Sequence, residues 1–277
     1  MASTAFAPPP FSEDVASHLT FSVEDSIATV VLQNPPQNRI DEQMATELAE
    51  AVKTMTRSDA RAVLLRANGP DFSFGGAFVD WPDTDVHELR ALFERYMSVF
   101  NEFERLPLPV VAAVQGLRFG GGFELALRAD VIFAGESAHF GHPEQTLGLV
   151  TLLGGIHRVA ESAGRARAAE CALTSERVSA STMAAAGVVA RVVPDGVLLK
   201  EATAFAQKLA QGPTRAHAAH KALLRAWAVG GIAAADEAMF DIALPLFETE
   251  DTRAGLASAV KAFTAGEPRP TLDFRGR

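Results

Sequence analysis

Two glutamates are the residues in this sequence best placed to do chemistry. Glu124 follows Gly120-Gly121-Gly122-Phe123, and Glu144 follows Phe140-Gly141-His142-Pro143 twenty residues later. Each lies where a predicted strand gives way to a predicted helix. Two carboxyl groups that hold one water molecule can accept its proton and help deliver a proton elsewhere, which is general acid–base catalysis. For Glu144 alone, a charge that complements a helix dipole is the simpler interpretation.

The glycine triplet before Glu124 is the second chemical feature. Glycine lets the backbone approach a ligand closely, and the free amides at a helix start point at negative charge. The triplet therefore predicts an oxyanion hole, in which each donor can contribute about 3 kcal/mol to a transition state. Tight packing of a helix on a strand also demands glycine and explains the triplet equally well. A Walker phosphate loop is excluded because no Lys-Ser or Lys-Thr follows.

The elements around these residues alternate between strand and helix. Apolar and β-branched runs predict a strand or hairpin over 19–33 and strands over 62–65, 109–114 and 131–134. Apolar residues at helical spacing, and a possible Asp41 cap, predict helices over 42–57, 85–105 and 123–128. The alternation predicts an α/β fold built on βαβ crossovers. From Ala160 onward the chain reads as almost wholly helical, with breaks near Gly187, Pro194, Gly212-Pro213 and Gly230-Gly231.

Composition limits the function classes. With 277 residues, 48% of them hydrophobic and 21% charged, the chain can build a sizeable core, and one domain with a tail is expected. The net charge of -9 and the lack of a dense basic stripe make nucleic acid a poor partner. No apolar run approaches the roughly 20 residues that span a bilayer, so no membrane partner is expected.

The ends and the cysteine content point to a reducing compartment. The first 38 residues contain no Lys or Arg, which opposes a secretory signal or an Arg-rich transit peptide, and residues 1–18 read as a flexible arm. The single Cys171 rules out an intrachain disulfide framework and a multi-cysteine zinc site. A cytoplasmic location is the expectation.

Several further segments, taken together, resemble one family. They are Phe72-Ser73-Phe74-Gly75-Gly76, Pro109 to Gly116, Phe119 to Ala126, Ala138 to Glu144, and Gly154-Gly155-Ile156-His157-Arg158. Their order and spacing resemble the crotonase, or enoyl-CoA hydratase/isomerase, superfamily over about residues 19–263. The resemblance implies a ββα spiral core over 19–200 and a C-terminal helical region over 201–277 that mediates trimerisation, in a homotrimer or a dimer of trimers.

The resemblance also implies a site and a reaction. Glu124 and Glu144 fall on the two hydratase glutamates, with Glu144 as the main acid/base and Glu124 as the residue that positions water. The backbone amides of Phe74 and Gly121 fall on the oxyanion donors. The implied activity is addition of water across the double bond of a 2-enoyl-CoA thioester.

Coenzyme A is expected to enter as part of the substrate. The resemblance places its pantetheine arm between the loop and the glycine triplet, where the expected contacts are Phe72, Gly75, Gly76 and Gly120. No separate cofactor and no metal are expected. His142 and His157 are expected to pack rather than react, and Ser73 lacks the surroundings of a nucleophile.

One departure from the family pattern keeps alternatives open. The loop reads Phe74-Gly75-Gly76-Ala77 where the family pattern resembles Ala-Gly-Ala-Asp, so a bulky ring is present and an acid is absent. Asp80 and Trp81 lie in the segment that is variable in the family and could meet the acyl group. The alternatives are another enolate reaction, namely isomerisation, decarboxylation or carbon–carbon bond hydrolysis of an acyl-CoA, or a non-catalytic acyl-CoA-binding protein.

Overall fold

Two sheets and eight helices organise residues 16–277, which are the residues that the computed structural model describes. The predicted arm over 1–18 lies almost entirely outside them. The strands are β1 Leu19–Glu24, β2 Ile27–Leu32, β3 Ala62–Ala67, β4 Val110–Val114, β5 Leu117–Phe119, β6 Val131–Gly135, β7 His139–Gly141, β8 Val178–Ser179 and β9 Arg191–Val193. The helices are α1 Glu42–Met55, α2 Val86–Glu104, α3 Gly121–Ala126, α4 Gly155–Thr174, α5 Ala180–Ala185, α6 Leu198–Ala210, α7 Thr214–Ala243 and α8 Glu250–Ala265.

The larger sheet has the strand order β1-β2-β3-β4-β6-β9. Strand β1 runs antiparallel to β2, and every other neighbouring pair in this sheet is parallel. The smaller sheet has the order β5-β7-β8, with β5 and β7 parallel. The connections out of β5 and β7 carry the two glutamates, so the small sheet sets the distance between them.

Both faces of the large sheet are covered, as expected for a parallel sheet. In β3, Val63 and Leu65 enter one core cluster, whereas Ala62 and Leu64 enter a second cluster on the opposite face. Helix α6 closes the second cluster with small or apolar residues every four positions, beginning at Leu198 and Ala202. Alternate residues of the strands therefore face opposite sides of the sheet, and residues of α6 at helical spacing pack against one of these sides.

The predicted helices form, with shifted ends. Asp41 caps α1, because its carboxylate accepts a hydrogen bond from the Met44 amide at 2.9 Å. Helix α3 begins at Gly121, two residues earlier than predicted, since Gly120 adopts φ +50° and serves as the N-cap. Glu124 lies in the first turn of α3, as predicted.

The C-terminal half is mainly helical, with two strands that the sequence analysis missed. Strands β8 and β9 are two and three residues long, too short to show a period, and β9 joins the edge of the large sheet beside β6. Gly231, with φ +72°, kinks α7 at the predicted break. Along residues 16–277 no helix is long and apolar enough to cross a bilayer.

Candidate active site

A small cavity of about 90 Å³ opens between the loop after β3, the start of α3 and the 3-10 helix Pro143–Leu147. Its lining includes eight residues that were singled out from the sequence, namely Phe74, Gly75, Gly76, Trp81, Gly120, Gly121, Glu124 and Glu144. Apolar and aromatic residues complete the wall: Ile40, Phe78, Phe93, Tyr96, Pro143, Leu147, Leu149, Val150, Leu152 and Leu153. The structure therefore brings both glutamates to one cavity.

The carboxylate of Glu124 is held rigidly. Its Oε1 accepts hydrogen bonds from the amides of Leu153 and Gly155, each at 2.8 Å, and the residue is only 2% exposed. Burial, together with the charge of Glu144, outweighs these two amides and raises the pKa of Glu124 to about 7. Glu124 can therefore gain or lose a proton near neutral pH.

The carboxylate of Glu144 faces the glycine triplet. A Cβ built on Gly120 would lie 2.9 Å from Glu144 Oε1, so only glycine leaves room for the carboxylate there. The second oxygen, Oε2, is buried without a hydrogen-bond partner among the described residues. Burial raises the pKa of Glu144 as well. Neither glutamate is held in a fixed charge state by a basic side chain within the cavity.

The two backbone amides expected as oxyanion donors, those of Phe74 and Gly121, differ in their hydrogen bonding. The Phe74 amide is already used, because it donates to the Gln37 carbonyl at 3.0 Å. No hydrogen bond within residues 16–277 satisfies the amides of Gly76 and Gly121, and the Gly76 nitrogen lies 3.5 Å from where a Gly121 Cβ would stand. The strand-like bridge between Ile40 and Gly76 uses the Gly75 carbonyl and the Ala77 amide, so the Gly76 amide between them stays free.

Gly75 makes this arrangement possible. It adopts φ +88°, and a Cβ added to it would lie 2.8 Å from the Phe119 carbonyl oxygen and 3.0 Å from the Gly121 nitrogen. Real Cβ atoms do not approach backbone atoms that closely. The loop can therefore lie against the start of α3 only with glycine at this position.

Two other loop residues have structural positions. Phe72, an expected substrate contact, is fully buried in the main core cluster and does not line the cavity. Ser73 is also fully buried, and its hydroxyl donates to the Asn38 carbonyl at 2.7 Å. Both side chains hold the loop against the body of the protein.

The aromatic wall places Trp81 near the loop. Trp81 packs edge-to-face on Phe93 with centroids 5.0 Å apart, and a Cβ on Gly76 would lie 3.0 Å from its ring. Asp80 is exposed and does not line the cavity. Burial, with the charges of Glu42 and Asp41, raises the pKa of Tyr96, which stays a neutral phenol.

His142 lies behind the two glutamates rather than at the surface. Its ring stacks on Phe123 with centroids 4.8 Å apart, and burial lowers its pKa to about 4. A Cβ on Gly155 would lie 2.4 Å from the imidazole and 2.9 Å from Glu124 Cγ. The imidazole is therefore neutral and packed, as the sequence analysis expects.

The amides of Leu153 and Gly155 that hold Glu124 were not predicted from the sequence. The glycine pair Gly154-Gly155 ahead of α4 is the signal that could have identified them, because it repeats the pattern of glycines before a helix that precedes Glu124. Along residues 16–277, no three His, Cys, Asp or Glu side chains cluster as potential metal ligands.

Known proteins share this sequence and fold. The profile of the enoyl-CoA hydratase/isomerase family matches residues 22–263. The mitochondrial enoyl-CoA hydratase of Pongo abelii is 30% identical over 67% of this chain, and this chain spans 64% of that relative, just under two thirds. The 2,3-dehydroadipyl-CoA hydratase of Escherichia coli K12 is 28% identical over 94% of this chain and all of its own length.

A solved structure extends the similarity to the fold. Enoyl-CoA hydratase subunit I from Geobacillus kaustophilus HTA426 superposes with a TM-score of 0.85 at 28% identity, covering 96% of this chain and all of that one. The α/β architecture with a C-terminal helical region is therefore the crotonase fold. On the profile match, which spans most of its length, the chain belongs to the enoyl-CoA hydratase/isomerase family.

Proposed function

We propose that this protein is a 2-enoyl-CoA hydratase in which Glu124 and Glu144 handle one water molecule between them. The observation that carries the proposal is that both carboxyl groups line one cavity together with the unpaired amides of Gly76 and Gly121. Two carboxyl groups with raised pKa values suit a reaction that needs one proton accepted and one supplied.

Each carboxyl group has its own part in the proposed reaction. Glu144, with one oxygen unpartnered, accepts a proton from water as the water oxygen attacks C3 of the conjugated double bond. Glu124, fixed by two backbone amides, orients that water. A proton returned from the carboxyl pair to C2 completes the addition, so the atoms of one water end on C2 and C3. General acid–base catalysis of this kind contributes about 10²- to 10⁴-fold.

Negative charge passes to the thioester oxygen during the attack. We assign its stabilisation to the amides of Gly76 and Gly121, which approach each other across the loop contact made by Gly75. Donors preorganised in a site that excludes water act more strongly than donors in water. Phe74 contributes its side chain to the cavity wall rather than its amide.

The substrate in this proposal carries an apolar acyl group. Among the described lining residues, the two glutamates are the only charged side chains, and the rest of the wall is mainly aliphatic and aromatic. Coenzyme A enters and leaves as the thioester carrier, so the proposal needs no separate cofactor. A homotrimer or a dimer of trimers is part of the same proposal, by analogy with the family.

Hydration is tested by mixing the protein with crotonyl-CoA and longer 2-enoyl-CoA homologues and following the loss of the conjugated-enoyl absorbance. Glu144→Gln should lower kcat by at least about 10²-fold while acyl-CoA binding persists. Glu136→Gln is the matched control, because Glu136 is exposed in the turn after β6. Absence of turnover with every 2-enoyl-CoA would reject the proposal.

Product analysis separates hydration from the alternatives. A 3-hydroxyacyl-CoA product supports hydration, whereas a shifted double bond, released carbon dioxide or a shortened acyl chain identifies another enolate reaction. Unchanged acyl-CoA bound equally by the wild type and by Glu144→Gln identifies a binding protein. Each of these outcomes therefore distinguishes hydration from one of the two alternatives, another enolate reaction or acyl-CoA binding without catalysis.

A further inference from the structure

A partly buried group of charges lies directly behind the loop that holds Glu124. Glu104 ends α2, Arg128 follows α3, and Arg158 lies in the first turns of α4. We call these three residues the 104/128/158 cluster. Its members come from α2, the turn after α3, and α4, and they line no part of the active-site cavity.

Glu104 binds both arginines. Arg158 donates to the two carboxylate oxygens of Glu104 at 2.8 and 2.7 Å, and Arg128 donates to one of them at 2.9 Å. Burial alone would raise the pKa of Glu104, but the bonds and charges of the two arginines outweigh it and lower that pKa. The cluster is therefore held ionised and has a defined geometry.

Each arginine also reaches the loop in front of α4. Arg128, whose side chain is fully buried, donates to the Leu153 carbonyl, and Arg158 donates to the Gly154 carbonyl at 3.2 Å. Along the chain these two carbonyls lie between the Leu153 and Gly155 amides that hold Glu124. The loop thus presents its carbonyls to cations and its amides to a carboxylate.

One peptide unit carries both kinds of bond. The Gly154 carbonyl and the Gly155 N–H belong to the same peptide group, so the bond from Arg158 and the bond to Glu124 share one amide. A cation on the carbonyl polarises the N–H and strengthens the bond that it donates. Gly154 adopts φ +89°, which side-chain-bearing residues rarely adopt, and a Cβ there would lie 2.3 Å from Arg158 Nη1, so a larger residue would have to displace the guanidinium.

We infer that the 104/128/158 cluster is a positioning device for Glu124, acting through the peptide groups of residues 153–155. Arg128 and Arg158 are positioning residues, because neither lines the cavity where water and substrate would react. The inference rests on the proposed role of Glu124 in hydration. It adds three residues to the machinery that sets the orientation and proton affinity of that carboxylate.

The charge arrangement agrees with this role. Arg128 donates to Glu104 and is also close enough to Glu124 for its charge to lower the pKa of that carboxyl group. Without the cluster, desolvation would act on Glu124 with less opposition, and the carboxyl group would hold its proton to higher pH.

The test compares Arg158→Met and Arg158→Lys with Arg167→Met, a control on the same helix whose exposed partner is Glu170 at 2.6 Å. We expect Arg158→Met to lower kcat by about 10- to 100-fold with KM changed less than about threefold, since displaced catalytic groups cost rates of this size. Arg158→Lys should recover part of the loss, because it keeps the charge but not the fork of donors.

An activity-independent readout separates this inference from the proposed function. Carbon-13 NMR of labelled glutamate carboxyls, with the Glu124 signal assigned by Glu124→Gln, should show Glu124 titrating at higher pH in Arg158→Met and in Arg128→Met than in the wild type. If the wild type hydrates no enoyl-CoA, the proposed function is rejected. The NMR titration of Glu124 still tests whether the 104/128/158 cluster sets the proton affinity of that carboxyl group. Variants with lowered melting temperature but an unmoved Glu124 titration and wild-type kcat would overturn the inference.

Discussion

The imidazole Nδ1 of His142 lies 3.9 Å from Oε2 of Glu144, and neither atom has a hydrogen-bond partner among the described residues. Both atoms are buried, and a buried polar group without a partner costs about 1–3 kcal/mol. Because His142 is neutral at physiological pH, it leaves the charge of Glu144 uncompensated. The pair therefore leaves the Glu144 carboxyl group without a bonding partner at some expense in stability.

The first prediction concerns His142 and acid. Its pKa is about 4 in the folded protein and about 6.5 when unfolded, so between these values the unfolded state binds more protons. The free energy of unfolding should therefore fall as pH falls from 6.5 to 4, by up to about 3 kcal/mol from this residue. Urea unfolding of wild type and His142→Gln at pH 7 and pH 4.5 measures it. Parallel pH dependences in the two proteins would contradict the prediction.

The second prediction concerns Glu124, whose pKa moves in the opposite sense. The folded carboxyl group titrates at about 7 and the unfolded one near 4.5, so folding retains a proton that the unfolded chain releases. The resulting stabilisation is present below pH 4.5 and is lost as pH rises through 7. Glu124→Gln has no proton to lose, and its Oε1 can still accept from both amides.

Glu124→Gln should therefore be more stable than the wild type at pH 8 by up to about 3 kcal/mol, and close to it at pH 4.5. Urea unfolding at both pH values gives the difference, and kcat should fall in the same variant. A stability difference that does not grow with pH would contradict the raised pKa of Glu124.

The third prediction uses the contact between Gly120 and Glu144. In Gly120→Ala the new Cβ would lie 2.9 Å from Glu144 Oε1 and push the carboxylate aside, so kcat should fall by about 10- to 100-fold. Gly266→Ala is the control, since Gly266 has φ +68° with nothing within 4 Å of an added Cβ. Both variants carry backbone strain, but only the first should lose activity. Equal kcat values in Gly120→Ala and Gly266→Ala would show that displacing the Glu144 carboxylate does not slow the reaction.

The fourth prediction separates the side chain of Phe74 from its amide. The ring lines the cavity and packs edge-to-face on Phe119 at 5.8 Å, whereas the amide is bonded to Gln37. Phe74→Ala should keep hydration of crotonyl-CoA and raise the kcat/KM for longer 2-enoyl-CoA homologues relative to it, because the cavity gains volume. The measurement is that ratio across a chain-length series. A loss of activity with every substrate would mean that the Phe74 side chain has a further role besides shaping the cavity wall.

Local sequence patterns were sufficient for most of the elements. Continuous apolar runs predicted β3 and β4, and Asp41 marked the start of α1. Glu124 and Glu144 were singled out by their positions after glycine-containing segments together with the family resemblance, and the structure brings both to one cavity. These features depend on spacing along the chain, which the sequence displays directly. The short β8 and β9 escaped because two or three residues show no period.

Tertiary structure alone decided which backbone amides are free and what holds each carboxylate. The Phe74 amide is engaged by Gln37, 37 positions earlier, and Glu124 is held by amides 29 and 31 positions later. Hydrogen bonds between segments so distant leave no trace in local spacing, because every non-proline residue carries the same amide and carbonyl. The sequence by itself determined which side chains could react, and the folded chain decided which of its identical backbone groups remained available to them.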